Sequence, residues 1–284
     1  MSDTFHALEE TVTRDVTRAL AEDIGTGDLT ARLIPGDRTA QARLMTRQDG
    51  VLCGTEWFNR TFEELDTDVE IFWHHADGDD IVAGSSLCEL EGNARAMLTA
   101  ERTALNFVQL LSGVATRTRR FVRAVEGTRA KILDTRKTLP GLRIAQKYAV
   151  ATGGGTTNRI GLHDGILIKE NHIASAGGLH AALQQALHDA GEGVMVQVEV
   201  ESIGQLRQAL DAGAKLILLD NFDLAGMREA VKIAGDRAEL EASGGVNLET
   251  VRAVADTGVH RISVGSLTKD IEALDLSLRF LHHA

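Results

Sequence analysis

The stretch from Ile132 to His172, ILDTRKTLPGLRIAQKYAVATGGGTTNRIGLHDGILIKENH, carries Arg136, Lys137, Arg143, Lys147, Arg159 and Lys169 in a chain of formal net charge −11. Arg136 and Lys137 end one strand-like run, Lys169 ends the ILIK run, and Arg159 follows a triple glycine. A guanidinium offers a planar fork that grips carboxylate or phosphate through two bonds, whereas a lysine ammonium acts as a compact point charge. Taken singly, each cation reads as surface charge. Their shared placement where strands end, inside an acidic protein, points to a pocket for a substrate with several negative groups.

Two further kinds of group fall at strand ends. Glu199 closes VMVQVEV and Asp220 closes LILLD, 21 residues apart, the length of one βαβ unit. On adjacent strands at one level they could hold Mg²⁺ directly or through water, contact ribose hydroxyls, or stabilise positive charge on a sugar ring. A structural salt bridge with Lys169 is the alternative. The turns Ser243–Gly244–Gly245 and Val264–Gly265–Ser266 each follow a strand and precede a helical pattern. Backbone N–H groups in such turns bind phosphate, and barrels often use the loops after their last two strands for this. Gly153–Gly155 permits close backbone approach, or serves as a plain helix stop. His172 in KENH reads as a structural histidine, and His74, His75, His282 and His283 as loop and tail residues.

These groups need a frame that brings strand ends together. From about Ala130 the pattern runs strand, loop, helix. Strands are expected at 131–134, 165–169, 194–199, 215–220, 239–243 and 261–264, with amphipathic helices at 202–212, 223–234 and 248–256. That alternation implies right-handed βαβ units and a parallel sheet, here an incomplete, open α/β barrel. A doubly wound sheet is the alternative, but its early GxGxxG turn is absent. The first third reads differently. Leu8, Val12, Val16 and Leu20 recur at helical spacing until Gly25 and Gly27, and short strands follow at 40–46, 50–54, 69–73 and 81–90 with turns between them. Such strands favour an antiparallel sheet, and hence an N-terminal α/β sandwich. A long helix begins after Asn93, with Met97, Ala104, Val108 and Leu111 on one face and Arg102 just past its margin. The domains expected are 1–112, joined by a C-terminal helix at 273–284, and 113–272.

The composition, 43% apolar and 25% charged over 284 residues, is that of a globular chain with a sizeable core. Its acidity argues against nucleic acid or an anionic membrane as partner. Cys53 and Cys88 lack metal-ligand spacing and read as buried thiols in a reducing compartment. No signal peptide or membrane-spanning run is visible, so a cytoplasmic protein is expected.

Together the motifs LAEDIGTGDLTA (20–31), ERTALNFVQLLSGVATRT (101–118), DTRKTLPGLR (134–143), GGG…NRIGL…LIKENH (153–172), VEVES (198–202), LLDNF (218–222), ASGGV (242–246) and ISVGSLT (262–268) closely resemble the quinolinate phosphoribosyltransferase, or nicotinate-nucleotide pyrophosphorylase, family. The resemblance implies a Mg²⁺-dependent reaction. Quinolinate and phosphoribosyl pyrophosphate give nicotinate mononucleotide, pyrophosphate and CO₂, a step of NAD biosynthesis. It also implies a homodimer in which Arg102 enters the partner's active site. Arg136, Arg159 and Lys169 would bind the quinolinate carboxylates, with Thr135 and Lys137 lining the same pocket. Glu199 and Asp220 would face the ribose and its metal, and the 243–245 and 264–266 turns would hold the 5′-phosphate. Lys137, Lys169, Glu199 and Asp220 form the expected catalytic set. Where the family usually reads His-Arg, this chain has Asn158–Arg159, an amide in place of an imidazole. Two other readings compete: a barrel lyase using Lys169 as a Schiff-base nucleophile, and a phospho-ligand-binding or transport-associated paralogue without turnover.

Overall fold

In the computed structural model, which describes residues 2–281 and side chains from Leu8 onward, the chain divides into two compact units. The first holds the chain up to Arg119, the segment Thr138–Gly154 and the stretch from Asp270; the second holds Arg120–Lys137 and Gly155–Lys269. The division between the two units falls within one continuous 31-residue helix.

The first unit opens with α1 (Ser2–Ile24), where Val12, Val16 and Leu20 are buried at helical spacing before Gly25 turns the chain with φ 53°. Its four-stranded antiparallel sheet has the order β12-β1-β5-β3, made of β1 (Thr39–Thr46), β3 (Glu70–Trp73), β5 (Ser86–Asn93) and β12 (Leu276–Leu281). A separate pair joins β2 (Gly50–Val51) to β4 (Asp80–Ile81). The run expected at 81–90 is therefore two strands, parted at Gly84, φ 88°. Against the sheet lie α2 (Thr55–Glu63) and α3 (Ala94–Ala124); Phe58, Phe62, Met97 and Val108 share one core with Leu44 and Leu90. Asn93 caps α3 as expected, its Oδ1 accepting from the N–H of Arg95 (2.9 Å) and Ala96 (3.2 Å).

The C-terminal helix expected at 273–284 is instead β12, which pairs antiparallel with β1. Leu274, Leu276 and Leu278 are buried at a spacing of two, which suits a strand covering a core and leaves a helix with no single apolar face. His282 and His283 lie outside the described residues. The segment 138–154 carries α4 (Arg143–Thr152), which is pinned by Tyr148: its hydroxyl donates to Asp77 at 2.8 Å and its ring meets Trp57 at 5.4 Å. Gly153 ends α4 so closely against α3 that a Cβ would lie 2.5 Å from the Ala115 carbonyl. Cys53 and Cys88 are free, buried thiols, and burial pushes both up in pKa.

The second unit is a six-stranded parallel sheet of order β6-β11-β10-β9-β8-β7: β6 (Lys131–Leu133), β7 (Gly165–Ile168), β8 (Met195–Val200), β9 (Leu216–Asp220), β10 (Glu239–Ser243) and β11 (Arg261–Ser263). Its helices are α5 (Glu170–Ser175), α6 (Leu179–Asp189), α7 (Ile203–Asp211), α8 (Leu224–Ala234), α9 (Val251–Ala255) and α10 (Ser266–Lys269). From β7 to β11 the strands lie side by side in chain order, and α6 to α9 pack each on the next along one face. A doubly wound sheet would place helices on both faces. This is an open α/β barrel.

Strand residues alternate between its two faces. Val198, Val200, Ile217, Leu219, Leu240, Ala242 and Ile262 are buried on the helix side. The inner face mixes Leu133, Leu216 and Leu218 with polar side chains. At its centre the fully buried Glu241 accepts from Gln197 Nε2 at 3.0 Å, from Arg261 Nε at 3.0 Å and from the Ser263 hydroxyl. These partners come from β8 and β11, so one carboxylate ties three strands at a common depth. Glu241→Ala strands the Arg261 charge in its cleft and should cost about 3–5 kcal/mol. Glu239→Ala removes only an outer partner 3.9 Å from Arg261 and should cost less than about 1 kcal/mol. Equal urea midpoints for the two variants would refute this assignment.

Candidate functional site

Asp134, Thr135, Arg136 and Lys137 follow β6 directly. Lys137 donates its N–H to Thr135 Oγ1 at 3.1 Å, and Thr268 Oγ1 donates to the Lys137 carbonyl at 2.8 Å. The Lys137 side chain lies over Gly265: a Cβ there would come within 3.0 Å of Lys137 Cδ and 3.7 Å of both Lys137 Nζ and Thr135 Oγ1. The absent side chain at Gly265 lets the loop after β6 close onto the turn after β11. Thr135, Lys137 and Gly265 therefore stand together.

Arg159 reaches the site by another route. Thr156 bridges Leu133 of β6, the Asn158 N–H donates to the buried Asp134 carboxylate at 2.7 Å, and Arg159 Nη1 donates to the carbonyl of Gly165, the first residue of β7, at 2.9 Å. The segment thus connects the two edge strands where the barrel is open, and Arg159 comes from that connection rather than from a carboxyl end. Burial, and then the nearby charge of Arg136, hold the Arg159 guanidinium below its ordinary pKa, opposed by Asp164. Arg136 Nε is itself buried without a hydrogen-bond partner among the described residues. Two neighbouring guanidiniums, one with an unanswered buried donor, form a receptor for an anion. Asn158 turns its Oδ1 onto the N–H of Arg159 at 2.8 Å, so the amide shapes the backbone of this connection.

Lys169 directly follows β7 and donates from Nζ to Glu199 Oε2 at 2.7 Å. This is the ion pair named as the alternative role for the acidic residues; it is made by Glu199. His172 is structural: its Nδ1 accepts the N–H of Lys169 at 3.0 Å and closes the first turn of α5. Glu199 and Asp220 lie on neighbouring strands, but the register pairs Glu199 with Leu218. Asp220 therefore stands on the same face two residues further toward the carboxyl end, not at the same level. Among the described residues no three His, Cys, Asp or Glu side chains gather into a metal cage. Glu199 and Asp220 offer hard oxygen donors of the kind that can hold a hydrated divalent cation.

The two glycine turns differ. Gly244 (φ 106°) and Gly245 (φ 62°) are exposed after β10, and the next helix begins only at Val251, so this turn does not open a helix as expected. Its left-handed backbone is one that glycine adopts without strain. Val264–Gly265–Ser266 leads directly into the short α10. Asp220 pairs in register with Ser243, which puts carboxylate and turn side by side.

Three other cations fall in the first unit. Arg102 is exposed on α3; Arg143 and Lys147 belong to α4, with Arg143 Nε bonded to Thr138 Oγ1 at 3.1 Å and Lys147 buried. The cations of the second unit's site are therefore Arg136, Lys137, Arg159 and Lys169. Sequence reading overlooked the Gln197–Glu241–Arg261–Ser263 layer beneath them. The available signal was a polar residue two positions before three of the site residues: Gln197 before Glu199, Glu241 before Ser243, Ser263 before Gly265.

The same arrangement belongs to a known group of proteins. Residues 28–112 match the family model for the N-terminal domain of quinolinate phosphoribosyl transferase, and residues 114–279 match that for its C-terminal domain. A probable nicotinate-nucleotide pyrophosphorylase (carboxylating) from Bacillus subtilis is 44% identical over 257 residues, covering 90% of this chain and 89% of that protein. A mitochondrial quinolinate phosphoribosyltransferase (decarboxylating) of Nicotiana tabacum is 39% identical across 92% of this chain and 80% of its own. The solved nicotinate-nucleotide pyrophosphorylase of Francisella tularensis superposes with a TM-score of 0.93 at 46% identity, over 96% of this chain and 97% of that one. With both domains matched in order along almost its whole length, this chain belongs to the quinolinate phosphoribosyltransferase family.

Proposed function

We propose that this chain transfers a phosphoribosyl group from phosphoribosyl pyrophosphate to quinolinate, releasing pyrophosphate and CO₂ and forming nicotinate mononucleotide for NAD biosynthesis. The observation that carries the reading is the meeting of Arg136 and Arg159 beside β6, with a buried guanidinium nitrogen awaiting an acceptor. In this reading the two arginines, with Lys169, bind the carboxylates of the pyridine ring, and Thr135 and Lys137 line the same pocket. The turns at Ser243–Gly245 and Val264–Ser266 take the 5′-phosphate, and Asp220 and Glu199 face the ribose.

The chemistry asks little of any nucleophile on the protein. The pyridine nitrogen attacks the anomeric carbon, and the bond to the diphosphate oxygen breaks with its electron pair leaving on that oxygen. Positive charge develops on the ribose ring, where the carboxylates of Asp220 and Glu199 stabilise it. With its nitrogen quaternary, the ring then accepts the electron pair released as the adjacent carboxylate departs as CO₂, and a proton replaces it. A tight clasp on the departing carboxylate would oppose this step, so the arginine pair is assigned to the one that stays. Mg²⁺ is the cofactor of this reading: Glu199 and Asp220 would hold it, and it would supply charge neutralisation for the leaving diphosphate.

A Schiff-base role for Lys169 is disfavoured by its surroundings. Such lysines are activated by desolvation or a neighbouring cation, whereas Lys169 is 49% exposed and paired with an anion. The reading also takes the protein as a cytoplasmic homodimer in which the exposed Arg102 of each subunit completes the site of the other, with the free, buried Cys53 and Cys88 suited to a reducing compartment.

With carboxyl-labelled quinolinate, CO₂ should appear only when phosphoribosyl pyrophosphate and Mg²⁺ are both present; protein that binds both substrates without release is the transport-type paralogue. Arg136→Ala should lower kcat/KM by about 10²-fold or more, because a substrate carboxylate loses its charged partner. Near-wild-type turnover would remove Arg136 from the pocket. Arg102→Ala and Arg136→Ala should each be inactive, yet refolding them together should restore roughly a quarter of wild-type activity, since half the dimers then carry one intact site. No recovery in verified mixed dimers would place Arg102 in its own subunit's site or in none.

A further inference from the structure

Asn221, directly after Asp220, is the one non-glycine residue among the described residues with a left-handed backbone, φ 56°. Asparagine tolerates that conformation better than most residues, but it is held there only where the surroundings demand it. The demand here is visible. Asn221 Nδ2 donates to Asp220 Oδ2 at 3.1 Å, and its backbone N–H donates to the Ser243 carbonyl at 3.0 Å. Its Oδ1 rests against Gly244, where a Cβ would lie only 2.1 Å from that oxygen. One side chain thus touches both the carboxylate at the end of β9 and the glycine turn at the end of β10.

We infer that Asn221 is a positioning residue for the sugar-phosphate half of the site, fixing the Asp220 carboxylate and the Ser243–Gly245 turn relative to each other. The inference rests on the function proposed above, because it assigns both groups to one substrate that carries a phosphate and a diphosphate on the same pentose. A carboxylate is free to turn about its last bond. The amide of Asn221 occupies Oδ2, which leaves Oδ1 to face the substrate. A Cβ at Gly244 would press on the same amide and so disturb its hold on Asp220.

The bland alternative is a residue that merely turns the chain, and two variants separate the readings. Asn221→Gly takes up a left-handed backbone without strain and keeps the N–H to Ser243, but loses the amide. Asn221→Asp keeps the shape and replaces the donor with a second carboxylate facing Asp220. A turn residue predicts full activity for both. A positioning residue predicts near-wild-type melting temperatures, kcat lowered on the order of 10²-fold, and a KM for quinolinate close to wild type. Wild-type kcat in Asn221→Gly would overturn the inference. A crystal structure of Asn221→Gly tests it without turnover: the Asp220 carboxylate should rotate and the glycine turn should shift, and an unmoved pair overturns the inference. Wild-type protein that fails to transfer the phosphoribosyl group overturns the proposed function instead, and the crystallographic comparison then decides the role of Asn221 alone.

Discussion

Glu241 has no contact with solvent, and a carboxylate in that position is tolerable only if its oxygens are answered. Gln197, Arg261 and Ser263 answer them, and in doing so they fix how far β8, β10 and β11 advance relative to one another. Two residues further along those strands stand Glu199, Ser243 and Gly265. Side chains alternate faces along a strand, so a slip of one residue would send those groups to the helix side. An apolar layer would fill the same space without specifying depth. The polar layer beneath the site gives the open barrel a register that its missing strands cannot supply.

The electrostatics of the site follow from where the barrel is left open. A closed barrel would set a strand between β6 and β7; here the connection through Asn158 and Arg159 lies there instead. Arg136 and Arg159 can therefore approach each other; burial, and then the charge of Arg136, lower the pKa of Arg159. Two like charges held near one another, in a chain of net charge −11, are stabilised by a bound anion more than either would be alone. Lys169, paired with Glu199 on the neighbouring strand, gives the site cations and carboxylates in adjoining places. That polarity suits a reaction in which an anion is bound, an anion leaves and a cation forms between them.

The first unit is assembled from distant parts of the chain. Strand β12 closes one edge of the sheet through six register pairs with β1, and α4, in the middle of the sequence, is anchored through Tyr148 to Asp77, the residue whose carboxylate also accepts the Gly54 N–H at the start of α2 at 2.9 Å. Leu274, Leu276 and Leu278 complete the core of Phe58, Phe62, Met97 and Val108, which would be open to water without them.

The sequence alone determined the elements whose signals are local. All six parallel strands, the long α3 with its Asn93 cap, and the cations and carboxylates at strand ends were legible, because hydrophobic period, capping chemistry and turn glycines act over a few residues. The motifs also carried the family. What only tertiary structure decided depends on partners far away in the chain. Residues 276–281 form a strand because β1 offers an edge and the core beneath it needs leucines at alternate positions. Arg143 and Lys147 leave the charged segment for another unit because α4 finds its partners there. Arg159 joins Arg136 across the gap between edge strands, Asp220 rises two residues above Glu199 by inter-strand register, and Asn221 takes a left-handed backbone because Ser243 and Gly244 lie beside it. Each of these results from a contact between segments that the sequence lists apart, and a one-dimensional pattern does not encode which distant neighbour a residue will meet.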